Sequence, residues 1–204
     1  MRCLLCHKEI GSNPSLAEIF WEEDILCHAC RKPWQKDQGK RKLGKTLVDT
    51  TWVYNEAFQA SLLQYKERYD EALKEIFLYP IRHQFRLKYH GYTLLLLPSV
   101  ESKYQERGFH HLVGMFSFLG LEILEPFGKR GNEEQKSKSI HQRRLSQDLI
   151  YLKEGISFPK KCLLVDDVIT SGSTMKGALK LLEKKPIKVK CYACANVIKN
   201  ELQR

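Results

Sequence analysis

The sequence predicts an α/β protein with a parallel β-sheet, preceded by a small cysteine-rich segment. Beyond residue 45, short apolar runs alternate with helical patterns, which is the order of elements that a parallel sheet requires. Within the first 30 residues, four cysteines form two pairs with the same internal spacing, which is typical of a metal-binding knuckle. These two observations define the predicted architecture.

The composition is that of a globular chain with an excess of basic residues. Hydrophobic residues make up 43% and charged residues 28% of the 204 residues, whereas disordered chains have fewer apolar residues. The formal net charge of +10 favours an anionic partner, such as a nucleic acid, a phosphorylated substrate or a membrane surface. An ordinary solvated face is the alternative explanation of this charge.

The sequence also excludes several classes of protein. No apolar run approaches the ~18 residues of a membrane span, and the first six residues lack the apolar core of a signal peptide. The odd number of cysteines, seven, argues against a disulfide scaffold. We therefore expect a cytoplasmic protein without a transmembrane segment.

The amino terminus predicts a structural zinc site. Cys3 and Cys6 form one Cys-x-x-Cys pair, and Cys27 and Cys30 form a second pair after 20 intervening residues. Four thiolates close a tetrahedral Zn²⁺ site, so the expected role is structural and the metal supplies much of the folding energy of a cap at residues 1–32. Four unrelated buried thiols are the alternative.

The other three cysteines are expected to be buried thiols of the sheet. Cys191 and Cys194 form a third Cys-x-x-Cys pair in an apolar run, but residues three apart in a strand point to opposite faces. They therefore cannot chelate one metal without a turn between them. Cys162, just before an apolar strand, is interpreted in the same way.

Residues 33–45 are predicted to form a basic linker or flap. From Arg31 to Lys45 the chain has seven basic residues against one acidic residue, with two glycines as breakers. Trp34 in this segment and Trp52 after it are candidates for stacking on nucleic-acid bases. Packing inside the protein is the alternative for both indoles.

The domain at residues 46–204 begins with a predicted strand, helix, strand and helix. Thr50–Tyr54 is rich in strand formers. Ala57–Tyr89 has apolar residues at about helical spacing, interrupted by a proline. Tyr92–Leu97 is a largely apolar strand stopped by the next proline, and Leu112–Leu121 is a short buried helix.

A loop, a strand, a helix and a final strand complete this domain. Gly128–Arg144 has few apolar residues and is predicted to be a mobile loop. Lys161–Val165 is a second apolar strand. Thr174–Lys185 has an apolar helical face and ends at a proline, and Ile187–Val197 is the last strand.

A hydroxyl-rich turn joins the second apolar strand to the following helix. Asp166 and Asp167 come directly after the strand, and a turn containing Gly172 leads into the helix. In a parallel sheet this junction lies at the carboxyl end, where backbone N–H groups and the helix dipole hold a phosphate. The two carboxylates could accept bonds from vicinal sugar hydroxyls or hold a Mg²⁺-bound water. The hydroxyl donors of the turn are Thr170, Ser171, Ser173 and Thr174.

These residues resemble the phosphoribosyl pyrophosphate (PRPP) signature of type I phosphoribosyltransferases. The shared pattern is an apolar run, Asp-Asp, two apolar residues and Thr-x-Gly-x-Thr. The resemblance implies a parallel-sheet, type I phosphoribosyltransferase-like domain that binds PRPP. It places Asp166 and Asp167 on the ribose hydroxyls and residues 170–174 on the 5′-phosphate.

Nearly the whole chain resembles the ComF family of competence proteins. The resemblance rests on the two cysteine pairs ahead of such a domain, on Leu97-Pro98-Ser99 and on Arg107-Gly108-Phe109. The family usually continues with Asn-Gln, where this chain has His110 and His111. With seven residues after the predicted last strand, we expect no hood there of the kind that binds a nucleobase in phosphoribosyltransferases.

The resemblance implies further contacts to the diphosphate. Ser99 falls in the loop that faces pyrophosphate, and Arg107 and Lys103 are candidate cations for it, with solvated surface charge as the alternative. Gly128–Arg144 corresponds to a loop that closes over the substrate. The candidates within that loop are Gln135, Gln142, Arg143 and Arg144.

The resemblance implies a role in DNA uptake during natural transformation. The protein would handle single-stranded DNA on the cytosolic side, together with a ComFA-like helicase and the membrane channel for DNA uptake. An active phosphoribosyltransferase on an unidentified nucleobase or other acceptor is a second hypothesis, because the motif supports ligand binding without establishing turnover. A structural adaptor that docks a protein through its cap is the third.

Overall fold

The computed structural model describes residues 1–10, 24–37, 39–98, 108–129 and 150–198. Two single-turn 3₁₀ helices, Glu71–Leu73 and Tyr79–Ile81, connect two of the α-helices. In chain order the helices and strands are α1 (His28–Arg31), β1 (Lys40–Leu43), β2 (Thr46–Val53), α2 (Glu56–Glu67), α3 (Arg82–Lys88), β3 (Thr93–Leu96), α4 (His111–Ser117), β4 (Ile123–Leu124), β5 (Phe127–Lys129), β6 (Ile150–Leu152), β7 (Lys161–Ile169), α5 (Ser173–Leu182) and β8 (Lys188–Asn196).

A six-stranded, mostly parallel sheet organises the described residues. Its strand order is β1-β2-β8-β7-β3-β4, and only the β1–β2 pair is antiparallel. Strands β5 and β6 form a separate antiparallel pair. The predicted α/β class with a parallel sheet is therefore confirmed.

The core lies on both faces of the central strands. All four residues of β3 are buried, and so is the apolar run of β7, as expected for parallel strands covered on both sides. On one face, the rings of Phe85 and Phe116 lie 4.9 and 6.2 Å from the ring of Tyr192. Helix α5 contributes further buried side chains, including Met175 and Leu182.

The structure shows that Trp34 and Trp52 pack inside the protein. Their side chains are only 6% and 3% exposed, and their rings lie 5.4 Å apart in an edge-to-face arrangement. The indole N–H of Trp52 donates to the carbonyl of Phe77 at 2.8 Å. The hypothesis that these two rings stack on nucleic-acid bases is therefore wrong, because both rings pack against other side chains in the core.

The predicted basic linker contains a strand of the sheet. Lys40–Leu43 forms β1, in which Lys40 and Lys42 are exposed while Leu43 is buried. Gly39 and Gly44 on either side have positive φ values of 85° and 63°, so they allow the chain to turn at both ends of the strand. Side chains alternate between the two faces of a strand. The sequence did not reveal this strand, because lysines occupy its outward positions.

Other predicted elements are confirmed with shifted limits. Cys162, Cys191 and Cys194 are buried thiols of β7 and β8, as expected. Of the predicted loop at Gly128–Arg144, the first two residues end β5, and the remainder lies outside the described residues. None of the helices in the described part of the chain combines the length and hydrophobicity of a membrane span.

Candidate functional site: the phosphate loop and the cysteine cluster

The hydroxyl-rich turn lies at the carboxyl end of β7, next to the end of β8. The sequence predicts that the strand stops at Val165, but β7 continues through both aspartates to Ile169. It does so because β8 remains paired with it as far as Asn196. Helix α5 then begins at Ser173, and its first backbone bond runs from Lys176 N–H to the Gly172 carbonyl at 2.9 Å.

The side chains of the turn form a small hydroxyl cluster beside the start of α5. Thr170 and Ser171 are exposed. The Ser171 Oγ lies 3.1 Å from Ser173 Oγ and accepts from the Ser173 N–H at 3.3 Å. Hydroxyls and N–H groups at a helix amino terminus are groups that hold phosphate in proteins, and phosphate binding at this turn stays a prediction.

Two features require a glycine at position 172: the backbone conformation and a side chain that lies close to it. Its φ of 69° lies in the left-handed region, where other residues are strained. A Cβ atom here would lie 2.4 Å from Cδ1 of Leu43 in β1. The sequence assigns this glycine to close approach by a ligand, whereas the structure shows that the supposed linker also packs against it.

Arg41 joins the ends of two strands to the turn. Its Nη1 donates to the Ile169 carbonyl at 2.8 Å and to Asn196 Oδ1 at 2.7 Å, and its Nη2 donates to the Thr170 carbonyl. Sequence reasoning placed Arg41 in a linker and missed this role. The available signal was the spacing of Arg41 and Leu43, because residues two apart in a strand share a face.

The two adjacent aspartates have different partners. Asp167 Oδ2 lies 2.5 Å from Nζ of Lys66 and 3.2 Å from Nε2 of His111. Its Oδ1 accepts from the Val168 N–H at 2.7 Å. Asp166 Oδ1 accepts from the Asp167 N–H at 3.0 Å. Asp167 is therefore held by side chains of α2 and α4, whereas Asp166 contacts the backbone and the side chain of its neighbour Asp167.

The same contacts separate the pKa values of the two carboxyls. Burial alone would raise the pKa of Asp167, but the Lys66 ammonium and the His111 imidazole hold it well below its usual range. Burial, reinforced by the charge of Asp167, raises the pKa of Asp166 well above its usual range. A cation or hydroxyl donors brought to this site would favour the ionised form of Asp166.

Lys66 and His111 are site residues that the sequence did not reveal. Lys66 is 101 residues from Asp167 in a helix whose pattern indicates only an amphipathic face. His111 is only 6% exposed, and its ring stacks on that of His110 with centroids 5.6 Å apart. The one available signal was the departure from the family pattern at these two histidines.

The start of the predicted pyrophosphate loop lies next to the two aspartates of β7. Leu97 follows β3, and its N–H donates to the Val165 carbonyl at 3.1 Å. Because β3 and β7 are parallel neighbours, both loops leave the same edge of the sheet. Ser99 and Arg107 lie outside the described residues, as do Lys103, Gln135, Gln142, Arg143 and Arg144.

A groove of about 590 Å³ opens at the carboxyl ends of β2 and β8. It is lined by amide side chains from Gln35, Asn55 and Gln59 and by apolar residues that include Val197. Tyr54 also lines it, and burial together with the charge of Asp167 raises the pKa of this phenol. The groove therefore lies at the same edge of the sheet as the phosphate turn.

The four amino-terminal cysteines converge on one point. Their sulfur atoms all lie within 4.8 Å of one another, and those of Cys6 and Cys27 are 3.6 Å apart. Four thiolates at about 2.3 Å from a tetrahedral metal would have sulfurs about 3.8 Å apart. The cluster can hold a metal ion, and a set of four sulfur ligands fits Zn²⁺.

The thiol pKa values also fit a cation at this point. Despite burial, backbone N–H groups around the two turns lower the pKa of Cys3 to about 7. Burial and then the neighbouring sulfurs raise the pKa of Cys30. Four sulfur atoms at this separation therefore carry negative charge together only when a cation compensates them.

Comparison with known proteins agrees with this geometry. Residues 124–203 match the family model described as a phosphoribosyl transferase domain, so the chain carries a domain of that class. The chain is also similar to Competence protein ComFC of Streptococcus pneumoniae (strain ATCC BAA-255 / R6), with 26% identity over 90% of this chain and 94% of the relative. Competence protein ComFC of Bacillus subtilis (strain 168) is 22% identical over 89% of each chain. The predicted resemblance to the ComF family of competence proteins is thereby confirmed.

Proposed function

We propose that this protein handles single-stranded DNA on the cytosolic side during natural transformation and binds PRPP in its phosphoribosyltransferase domain. The observation that carries the proposal is the intact phosphate turn with two acidic residues, in a chain similar to competence proteins along nine-tenths of its length. The formal net charge of +10 is consistent with a nucleic-acid partner.

The geometry supports a different role for each group of residues at the PRPP site. The amino end of α5 and the hydroxyls of residues 170–174 would hold the 5′-phosphate. Asp166 would take ribose hydroxyls or Mg²⁺ directly, because Lys66 and His111 contact Asp167, whereas the hydrogen bonds of Asp166 in the described part of the chain are to Asp167. Asp167, fixed by Lys66 and His111, would orient the strand end and keep a fixed negative charge beside it.

The cap and the partners complete the proposal. Cys3, Cys6, Cys27 and Cys30 would bind one structural Zn²⁺. A ComFA-like helicase and the membrane channel for DNA uptake are the proposed protein partners, by analogy with the family. Since a four-cysteine site leaves no open ligand position, the metal would hold the cap together without taking part in chemistry.

Calorimetric titration tests the PRPP site. Purified protein is titrated with PRPP and Mg²⁺, with and without a short single-stranded DNA. We expect saturable binding for the wild type and none for the double variant D166A/D167A. The matched control is E154A/E183A, which removes two exposed carboxylates elsewhere and should bind like the wild type. Equal PRPP affinity of all three proteins would overturn the site assignment.

The same samples distinguish a binding protein from a transferase. The opposite pKa shifts of the two adjacent carboxyls, Asp166 and Asp167, are the observation that favours catalysis as a second candidate function. Release of pyrophosphate from PRPP in the presence of a nucleobase or nucleic acid would establish an active phosphoribosyltransferase. PRPP binding that alters DNA affinity without pyrophosphate release supports a regulatory ligand.

A further inference from the structure

The amino-terminal edge of the sheet carries a cluster of lysines that the proposed PRPP site does not use. Strands β7 and β8 both begin with lysine, and the turn after α5 adds two more. We call this set the amino-edge lysines. Its members are Lys160, Lys161, Lys184, Lys185, Lys188 and Lys190.

Strand register brings these lysines together. Lys161 pairs with Lys188 across the parallel β7–β8 ladder, and the Lys188 N–H donates to the Lys160 carbonyl at 2.8 Å. Lys190 shares a sheet face with Lys188 because it lies two residues along β8. Neighbouring strands are ~4.8 Å apart and residues i and i+2 are ~6.6 Å apart, so the three strand lysines form one compact group.

Aromatic rings contact three of the ammonium groups, and one of them is that of Lys185, which lies 5.8 Å from the ring centre of Phe158. Lys190 Nζ lies 4.9 Å from the ring centre of Tyr92 and 5.7 Å from that of Tyr89. Lys161 Nζ lies 6.0 Å from the ring of Tyr92 on the same edge. Cation–π contacts order the lysines without neutralising their charge.

Within the described part of the chain, the six lysines are not compensated by ion pairs. Among the described residues, Asp49 binds the neighbouring Lys88 at 2.9 Å, but no carboxylate forms an ion pair with any amino-edge lysine. Glu122 at this end accepts from the Thr93 hydroxyl at 2.7 Å, and Glu183 is exposed on the turn after α5. The local charge is therefore strongly positive.

This surface is distinct from the PRPP site. In a parallel sheet all amino ends lie at one edge and all carboxyl ends at the other. Strand β7 has nine residues, so its two ends are separated by about 26 Å at ~3.3 Å per residue. The amino-edge lysines and the phosphate turn thus occupy opposite ends of one sheet.

We propose that the amino-edge lysines bind the phosphate backbone of single-stranded DNA. The inference rests on the proposed function and assigns the DNA to the edge of the sheet opposite the PRPP site. Several separate ammonium groups along two strands fit a polymer of phosphates better than one small ligand, which needs a concave site with convergent donors. A membrane surface is less suitable, because the nearby helix α3 is seven residues long and exposes one leucine, Leu87, rather than an apolar face.

Fluorescence anisotropy with a labelled oligothymidylate tests the proposal. The variant K161Q/K188Q/K190Q removes three charges from the proposed surface. The control K8Q/K32Q/K74Q removes three exposed lysines from the cap and from the segment between α2 and α3. The salt dependence is measured as the slope of log affinity against log salt concentration. For single strands, each lost phosphate contact reduces the magnitude of this slope by about 0.7. We therefore expect the edge variant to lose about two units of slope and roughly 10- to 50-fold in affinity near physiological salt.

The outcomes separate this proposal from the function on which it rests. Wild-type DNA affinity retained in the edge variant but lost in the control would overturn the proposal and place the DNA on the cap side. Equal affinity of both variants would also overturn it, while leaving DNA handling intact. If the wild type binds phosphatidylserine vesicles through these lysines and does not bind oligothymidylate, both proposals fail. PRPP binding and the melting temperature of the edge variant should remain those of the wild type.

Discussion

Asp166 and Asp167 are chemically identical neighbours that the fold places in opposite electrostatic situations. Lys66 and His111 stabilise the charge on Asp167, whereas burial and the adjacent Asp167 destabilise the charge on Asp166. A raised pKa in the folded state means that Asp166 favours folding below its unfolded pKa of about 4, and that this contribution is lost as the pH rises through the folded pKa. At neutral pH, ionised Asp166 therefore lowers the stability of the folded state, and a bound cation or sugar would offset this loss.

We predict that D166N stabilises the protein at neutral pH while abolishing PRPP binding. Asparagine keeps the shape and the acceptor for the Asp167 N–H but removes the buried charge. Because the folded state raises the pKa of Asp166, we expect the gain in stability at pH 7 and its disappearance as the pH falls towards 4. Urea unfolding at the two pH values measures it.

D167N is the matched control and should have the opposite effect. The pKa of Asp167 is depressed, so its contribution to stability is present above its unfolded pKa and is lost as the pH falls. Removing the carboxylate charge removes the contacts of Asp167 with Lys66 and His111, at a cost of about 3 kcal/mol at neutral pH. Equal stability of D166N and D167N would contradict the assignment of different roles.

The sequence could predict the two aspartates but not their partners. Asp166 and Asp167 belong to a short motif in which a strand, a turn and a helix are consecutive, so local spacing identifies them. Lys66 and His111 reach them only through the packing of α2 and α4 on the sheet, which no local pattern specifies. Arg41 was missed for the same reason, since its acceptors are 128 and 155 residues away.

At the scale of elements, strand β1 and the phosphate turn form a single packed unit. Leu43 is 6% exposed and covers Gly172, while Arg41 of the same strand binds the carbonyls at the end of β7. The turn is therefore held from one side by an edge strand. Its conformation should depend on β1 as much as on its own sequence.

We predict that G172A is costly and that L43A relieves part of the cost. A left-handed conformation costs a non-glycine residue about 1–2 kcal/mol, and overpacking against Leu43 adds about 1–3 kcal/mol. In the L43A background only the conformational part should remain. A double-mutant cycle of urea unfolding measures the coupling. An identical cost of G172A in both backgrounds would show that Leu43 does not press on the turn.

The elements that sequence patterns predicted best are those with long apolar stretches. Strands β3, β7 and β8 and helix α5 were recognised because buried strands and amphipathic helices have strong periodic signals. β1 was interpreted as part of a linker because its outward positions are lysines. The β5–β6 pair was missed because Lys129 and Ile150 are register partners 21 residues apart in the chain, with a long polar segment between them.

At the scale of the whole molecule, the amino-terminal cap is continuous with the core of the sheet. Arg31 in α1 is 4% exposed, binds Asp24 through two hydrogen bonds and donates to the Ile76 carbonyl at 2.8 Å. Its guanidinium also lies 4.4 Å from the ring centre of Trp34, which in turn packs on Trp52. The sequence predicted a cap and a domain separately, because contacts between distant segments leave no periodic signal.

This continuity leads to a prediction about the metal. Removing Zn²⁺ with a chelator should lower the melting temperature of the whole chain, because loss of the cap exposes Trp34 and Trp52 as well as the four thiols. If the lost contacts are worth about 2–4 kcal/mol, the shift is about 5–15 °C for a chain of this size. Calorimetry should then show one transition at lower temperature, with tryptophan fluorescence shifted to the red before heating.

C27S should reproduce the effect of the chelator and release about one zinc per chain by elemental analysis. C162A is the matched control, since Cys162 is a buried thiol of β7 away from the cluster, and it should retain the metal. A cap that loses its metal while the main transition stays at the same temperature would contradict the coupling. It would mean that the packing of Arg31 and the tryptophans is enough to stabilise the core without the metal. If the coupling is present, metal occupancy of the cap controls the stability of the sheet that carries both the phosphate turn and the amino-edge lysines.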